Sequence, residues 1–133
     1  MSFSDEHVQI IQRYADQIGD IPVAYPNVDF TQPEPKTVWT RINIIDGEMN
    51  QTSIGDDLNN HRVIGLVMIQ IFGEENKGTG EVLAMADAVT NIFRNWCGTT
   101  VRCRAASVKD IGPDGYGWYG VNVTIPFTRN ELL

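Results

Sequence analysis

The sequence contains few of the residues from which catalytic and metal sites are commonly built. Its 133 residues include only two cysteines, Cys97 and Cys103, and two histidines, His7 and His61. Two cysteines are too few for a disulfide framework or a zinc site, and these two lack the spacing of a redox pair. Neither histidine lies beside a cysteine or in a cluster with metal-ligand spacing, so we interpret both as surface residues. We therefore expect reduced thiols, no enzymatic activity and no metal or other cofactor.

Basic residues are scarce as well. The chain has 10 lysines and arginines against 17 aspartates and glutamates, which gives a net charge of −7. The acidic excess lies in residues 1–61, whereas residues 62–133 are balanced. A protein that binds DNA through its phosphates needs a basic face, and no basic stripe is visible in this sequence. The charge pattern therefore predicts no specific binding of DNA.

The sequence also lacks a segment for export or for membrane insertion. Its first residues have neither the basic region nor the long apolar core of a signal peptide. The most apolar run, residues 62–73, is far shorter than the ~20 residues that a membrane-spanning helix needs. Nothing in the sequence therefore directs export, and we expect the thiols to be reduced as in the cytosol.

That apolar run, RVIGLVMIQIFG, is the segment around which the rest of the chain is arranged. Between Val63 and Phe72 only Gln70 is overtly polar, and half of the residues are β-branched. Branched side chains pack well on a pleated surface, so the run predicts a strand. Because it barely alternates between apolar and polar residues, both of its faces must be covered. A central strand buried within the monomer is the favoured explanation, and a subunit interface is the alternative.

The remaining elements follow from periodicity. Apolar residues recur at helical spacing in two segments, and alternate in three segments outside the central run. The pattern predicts helices over 4–18 and 79–96, and strands over 37–46, 100–111 and 116–127. The last two strands form a hairpin around the sequence GPDG, with a bulge near Ala105 and Ala106. The residues after this hairpin are expected to fray.

Together these elements predict one α+β domain over residues 1–133. It has an antiparallel sheet of about four strands with the long helix packed on one face, and an N-terminal helix. We divide it into the N-terminal helix (1–19), a proline-rich arm (20–36) and the sheet-and-helix core (37–128). One layer of helix covers only one face of a sheet, and only the first helix and the arm remain to cover the other.

The arm and the second sheet face are therefore the predicted surfaces for self-association. Prolines at 22, 26, 33 and 35 exclude a helix interior or a central strand. The arm nevertheless has many apolar residues for a free linker, so it should lie against its own body or against a neighbouring subunit. The candidate interface residues are Tyr25, Phe30, Trp39, Arg41 and Trp118.

The order of these motifs resembles the tail terminator family of long-tailed bacteriophages. The resemblance runs over residues ~37–131 and includes the segments VWTRINIIDGEMNQTSIG, HRVIGLVMIQIFGEENKGTGEVLAMADAVTNIF and GTTVRCRAASVKDIGPDGYGWYGVNVTIPFTRNE. Its features are a strand that begins Trp39-x-Arg41, a following Asp46-Gly47-Glu48, and a central strand with Gly65 and Phe72. Two further features are a glycine-rich segment just before the long helix, and a last hairpin that contains GPDG, Trp118-Tyr119 and IPF.

The resemblance implies a structural virion protein without catalytic residues. Such a protein assembles as a hexameric ring on the last ring of the tail tube, stops tail polymerisation and offers a docking surface to the filled head. Its partners are other copies of itself, the tail-tube protein and the head-completion or connector protein, while DNA passes through without specific binding. It is made in the host cytoplasm and lies at the head-proximal end of the tail.

The loop predicted over residues 46–60 is polar and purely acidic in its charges. One interpretation is a solvated hairpin tip. The other places the loop at the lumen or the tail-facing rim of the ring, where its carboxylates repel DNA and its apolar residues contact a neighbouring ring. The residues concerned are the acids Asp46, Glu48, Asp56 and Asp57, with Met49 and Ile54.

Two other classes of function are alternatives. One is another neck or adaptor ring of the head–tail junction, which would bind the connector instead of the tail tube. The other is a small-ligand enzyme on a helix-covered sheet, which would need a pocket with convergent polar groups and displaced pKa values.

Overall fold

Two helices and six strands make up the fold. The structure, a computed structural model, describes residues 3–51, 60–98 and 100–132. In chain order the elements are α1 Phe3–Gln17, β1 Val23–Ala24, β2 Trp39–Gln51, β3 Asn60–Glu74, α2 Gly80–Phe93, β4 Val101–Cys103, β5 Ser107–Pro113 and β6 Trp118–Leu132. All six strands join one sheet in the order β1-β2-β3-β6-β4, and β5 also pairs with β6. Neither helix of the described chain is long and apolar enough to cross a membrane.

The predicted α+β class is confirmed, but the prediction of about four antiparallel strands is wrong. The sheet is mixed because the arm contributes β1, whose Val23 pairs in parallel with Thr40 of β2. The strand predicted over 100–111 is two strands, β4 and β5, both antiparallel to β6. The chain leaves the sheet between them, at the position where the sequence predicted a bulge.

Strand β3 is the centre of the sheet, as predicted, with β2 on one side and β6 on the other. The side chains of Val63, Val67, Ile69 and Ile71 are fully buried on one face. On the opposite face Ile64 is 48% exposed. Burial therefore alternates along β3 although hydrophobicity does not, and the chain itself covers only one face completely.

Both helices pack on that same face. Ile10 and Tyr14 of α1 share one core with Val89 and Phe93 of α2, and the rings of Tyr14 and Phe93 stack with centroids 6.1 Å apart. The Tyr14 hydroxyl donates a hydrogen bond of 2.7 Å to Thr40 Oγ1 on β2. The expectation that α1 would help to cover the second face is wrong, because its apolar stripe completes the core that α2 forms.

The arm covers only one corner of the second face. Ala24, Trp39 and Trp118 form a small buried cluster there, with Phe30 and Phe72 packed against it. We call these five residues the tryptophan corner. The arm therefore packs on its own chain, which is one of the two arrangements that the sequence predicted.

The rest of the second face is left without a helix because α1 and α2 both pack on the first face. The strands are also much longer than the helices. Strand β3 has 15 residues and α2 has 14. At ~3.3 Å per residue in a strand and ~1.5 Å in a helix, β3 is about 50 Å long and α2 about 21 Å.

One end of the sheet extends further than the sequence indicated, on both sides of β3. Strand β2 continues through the segment predicted as a loop, to Gln51 opposite His61, with a register shift between Asp46 and Met49. A Cβ added to Gly47 would stand 1.8 Å from the carbonyl oxygen of Ile64, so only glycine fits this bulge. The predicted tip at 52–59 lies outside the described residues. The tail expected to fray is instead paired with β3.

The alternating burial of β3 leads to a direct test of the fold. Replacing the buried Ile69 with Ala should lower the free energy of unfolding by ~2–5 kcal/mol, because the change leaves a cavity in the core. The matched control is Ile64→Ala on the same strand, where the side chain is half exposed and the loss should be much smaller. Urea unfolding of both variants measures the difference. Equal losses would mean that β3 does not have one covered and one open face.

Candidate functional site

The open side of the sheet is the candidate interaction site, and we call it the helix-free face. Cross-strand pairing places its side chains in rows that run from β2 through β3 to β6. The polar row next to the tryptophan corner is Arg41–Gln70–Asn122. The mixed row Asn43–Met68–Thr124 follows, and then the apolar row Ile45–Leu66–Pro126. Beyond the apolar row, Ile64 lies beside Thr128.

An apolar patch lies near the middle of the helix-free face. Ile45 is 47% exposed and Ile64 is 48% exposed. Leu66, Met68 and Pro126 are half-buried beside them. Large apolar side chains grouped on one open surface and bordered by polar residues are typical of protein–protein contacts. This patch arises from the lack of alternation that singled out the central run in the sequence.

The residues predicted for self-association lie in three different environments. Trp39 is 1% exposed and Trp118 is 2% exposed, because the arm covers them. The Phe30 ring stacks on Trp39 with centroids 4.9 Å apart and stays half-buried. Arg41 is exposed, with its guanidinium 5.4 Å from the centroid of the Trp39 ring. Tyr25 packs half-buried against the main core instead, and burial raises its pKa.

Two polar contacts attach the outer part of the arm to the last hairpin. Trp118 Nε1 donates a hydrogen bond of 3.1 Å to Gln32 Oε1. Lys36 Nζ donates one of 3.3 Å to the carbonyl oxygen of Gly117, and lies 5.1 Å from the centroid of the Trp118 ring. The arm thus closes the tryptophan corner with polar contacts, one partly buried and one exposed, as well as with apolar ones.

The residues predicted for the acidic loop are only partly placed. Asp46 lies on the helix-covered side, where its Oδ2 is 3.1 Å from His7 Nε2, so this carboxylate already contacts its own chain. Glu48 and Met49 belong to β2. Ile54, Asp56 and Asp57 lie outside the described residues.

A buried ion pair is the functional feature that the sequence reasoning missed. Arg129 Nε donates to Glu6 Oε1 at 3.1 Å, and both side chains are fully buried. The pKa of Glu6 is raised to about 7, chiefly by burial and also by the nearby Asp46 carboxylate, while Arg129 acts in the opposite direction. A signal was present, since Glu6 precedes the core residues Ile10 and Tyr14 at a spacing of four and so shares their helix face.

A cavity lined by arginines lies beyond the apolar patch. Its volume is about 300 Å³, and Arg62, Arg102 and Arg104 surround it together with uncharged residues. Arg62 Nε donates a hydrogen bond of 3.2 Å to Asn130 Oδ1. No carboxylate lines this cavity among the described residues. In a chain of net charge −7 it is a local cationic surface.

Comparison with known proteins gives a family and a fold. A model of the phage tail terminator protein family matches residues 9–127. One solved structure, whose name states no function, superposes with a TM-score of 0.73 at 18% sequence identity, over 97% of this chain and 96% of that chain. At this identity the likeness supports the fold alone. No curated protein matches the sequence significantly.

The buried pair should show strong energetic coupling. Either replacement removes the buried, charge-assisted hydrogen bond from Arg129 Nε to Glu6 Oε1, so Glu6→Gln or Arg129→Met should each cost ~3–5 kcal/mol of folding free energy. The double variant should cost less than the sum of the two, by more than ~1 kcal/mol. Denaturant unfolding of the four proteins measures this coupling, and Glu81→Gln, an exposed acid in the first turn of α2, is the control. Additive losses would show that the pair does not act as a unit.

Proposed function

Because this chain belongs to the phage tail terminator family, we propose that it forms a ring on the head-proximal end of the tail tube. There it ends tail polymerisation and provides the surface to which the filled head docks. The role is structural, and the protein becomes part of the virion. The observation that carries the proposal is the family match, which spans residues 9–127.

The apolar surfaces of the chain support assembly into a ring. A closed ring is built from head-to-tail contacts, in which two different patches of the same chain meet. The apolar patch on the helix-free face supplies one candidate patch. A second lies on the last hairpin, where Val108, Ile111 and Tyr116 are 48%, 51% and 85% exposed. We propose that these two surfaces meet in neighbouring subunits, and that the ring is a hexamer.

The tryptophan corner continues the proposed interface. Arg41 points outward from this corner, and Phe30 is still partly exposed there. We propose that these two residues contact the neighbouring subunit while Trp39 and Trp118 support them from beneath. Tyr25 contributes from the helix side of the arm, at the edge of the same interface.

The acidic segment over residues 48–57, which begins within β2, is proposed to face the lumen or the tail-facing rim. Its carboxylates at 48, 56 and 57 would repel the DNA that passes through the ring. Met49 and Ile54 would contact the adjacent ring. The arginine-lined cavity fits a protein contact better than the lumen, because exposed guanidinium groups bind phosphates and would retard the DNA.

A neck or adaptor ring that binds the connector is the second candidate, because the same apolar surfaces would serve it. Purified tail tubes and purified connectors distinguish the two. On our proposal the protein binds tube ends and stops the growth of tubes from free tail-tube protein. Electron microscopy of tube lengths, with native mass spectrometry of the bound ring, measures both effects. Binding to connectors alone would establish the adaptor function instead.

A charge on the apolar patch should prevent assembly without unfolding the subunit. We expect Ile64→Lys to lose its ability to cap tubes, because a lysine there would be buried against the neighbour. The control is Val8→Lys, a change at a 63% exposed apolar residue of α1 on the other side of the sheet. Circular dichroism checks that both variants fold. Full capping activity in the Ile64 variant would exclude this patch from the interface.

The acidic segment has a separate test. Replacing Glu48, Asp56 and Asp57 with Lys, while Asp46 keeps its contact with His7, should leave the subunit folded and slow the ejection of DNA or block tail joining. The matched control changes the same three residues to Asn or Gln, which removes the charge without reversing it. Particles with the three lysines that assemble and eject DNA normally would show that the segment is only a solvated hairpin tip.

A further inference from the structure

The first turn of α1 and the bulge of β2 bring three side chains with metal-binding atoms together. Glu6, His7 and Asp46 each offer one such atom, and these atoms all lie within 4.8 Å of one another. His7 Nε2 is 3.1 Å from Asp46 Oδ2 and 3.7 Å from Glu6 Oε2. We propose that this cluster is a binding site for a divalent first-row transition metal ion such as Zn²⁺ or Mn²⁺.

The separations fit a shared cation. Nitrogen and carboxylate ligands lie ~2.0–2.2 Å from such an ion, so two ligands of one ion are at most about 4.4 Å apart. The two separations from His7 Nε2, 3.1 Å and 3.7 Å, lie within that limit. The Glu6 and Asp46 oxygens lie within 4.8 Å of each other, so a shift of at most about 0.4 Å would bring all three atoms within that limit.

The carboxylate of Glu6 gives independent support for a ligand. Its side chain is fully buried, and Oε1 accepts the hydrogen bond of Arg129. The other oxygen, Oε2, is buried without a hydrogen-bond partner and is directed towards His7. Leaving a charged oxygen buried and unpartnered is costly, and a coordinated cation would remove that cost. Arg129 would then hold Glu6 in position as an outer-shell partner.

The donor set indicates the class of metal. One imidazole nitrogen with two carboxylates suits Zn²⁺ and Mn²⁺, whereas Mg²⁺ and Ca²⁺ prefer oxygen ligands only. The side chains of His7 and Asp46 are 41% and 32% exposed, which leaves a path for the ion and room for water ligands. The charged and titratable groups at the site include the two carboxylates, His7 and Arg129.

A bound ion would connect two distant parts of the chain. Glu6 and His7 begin α1, and Asp46 stands at the register shift of β2. The metal would therefore fix the N-terminal helix to the base of the hairpin that β2 and β3 form.

Titration of the purified full chain with Zn²⁺ and with Mn²⁺ tests the site. Isothermal calorimetry should give one ion per chain, and Co²⁺ should give the visible absorption of a low-coordinate site with a nitrogen ligand. His7→Ala and Asp46→Asn should each weaken binding by at least ~10-fold. Both side chains are partly exposed, so these variants should fold, and circular dichroism checks this.

Two control variants address other donors on the surface. His61→Ala removes the second histidine, and Cys97→Ser removes the exposed thiol; both should bind metal as the parent does. The proposal is overturned if neither Zn²⁺ nor Mn²⁺ binds at millimolar concentration, or if Mg²⁺ binds equally well. It is also overturned if the two control variants, and not the changes at His7 and Asp46, abolish binding. A proton shared by the two carboxylates would then be the better account of the cluster.

Discussion

The pairing of β3 with β2 on one side and with β6 on the other is the constraint on which the whole structure depends. Its register puts Ile42, Ile69 and Val123 in one row beneath the helices. A shift of one residue would exchange the two faces of β3, and would move these side chains away from α1 and α2. The same register therefore determines both the core and the composition of the helix-free face.

The two faces of this sheet bury their apolar side chains differently. On one face two helices from the same chain complete the packing. On the other, the arm covers the tryptophan corner and leaves Ile45 and Ile64 about half exposed. In the proposed ring a neighbouring subunit would complete the second face. This would explain why β3 is apolar on both sides, since one side serves folding and the other serves assembly.

Local patterns in the sequence predicted the parts of the fold that depend on local structure. The alternation in residues 37–46 assigned Ile42 and Trp39 to opposite faces correctly, and the apolar stripe located α2 to within a few residues. The parallel strand β1 has two residues and therefore no periodicity to detect. The side on which α1 packs also could not be predicted, because an amphipathic helix shows that it has a buried face but not which surface covers it.

The candidate site was predictable to a similar degree. The sequence indicated an apolar second face and a covering arm, and the structure has both. It did not indicate that Trp39 and Trp118 would be buried by that arm, because burial depends on where the arm lies in three dimensions. The contact of Asp46 with α1 was equally hidden, since His7 is 39 residues away in the chain.

The ion pair of Glu6 and Arg129 has a consequence for how fast the protein folds. The two residues are 123 positions apart, so their contact joins the first helix to the last strand. The buried carboxylate of α1 meets this arginine only when β6 is in place, and closing so long a loop has an entropic cost. The native core thus unites segments that are far apart in the chain, so we expect it to fold more slowly than a protein held by local contacts.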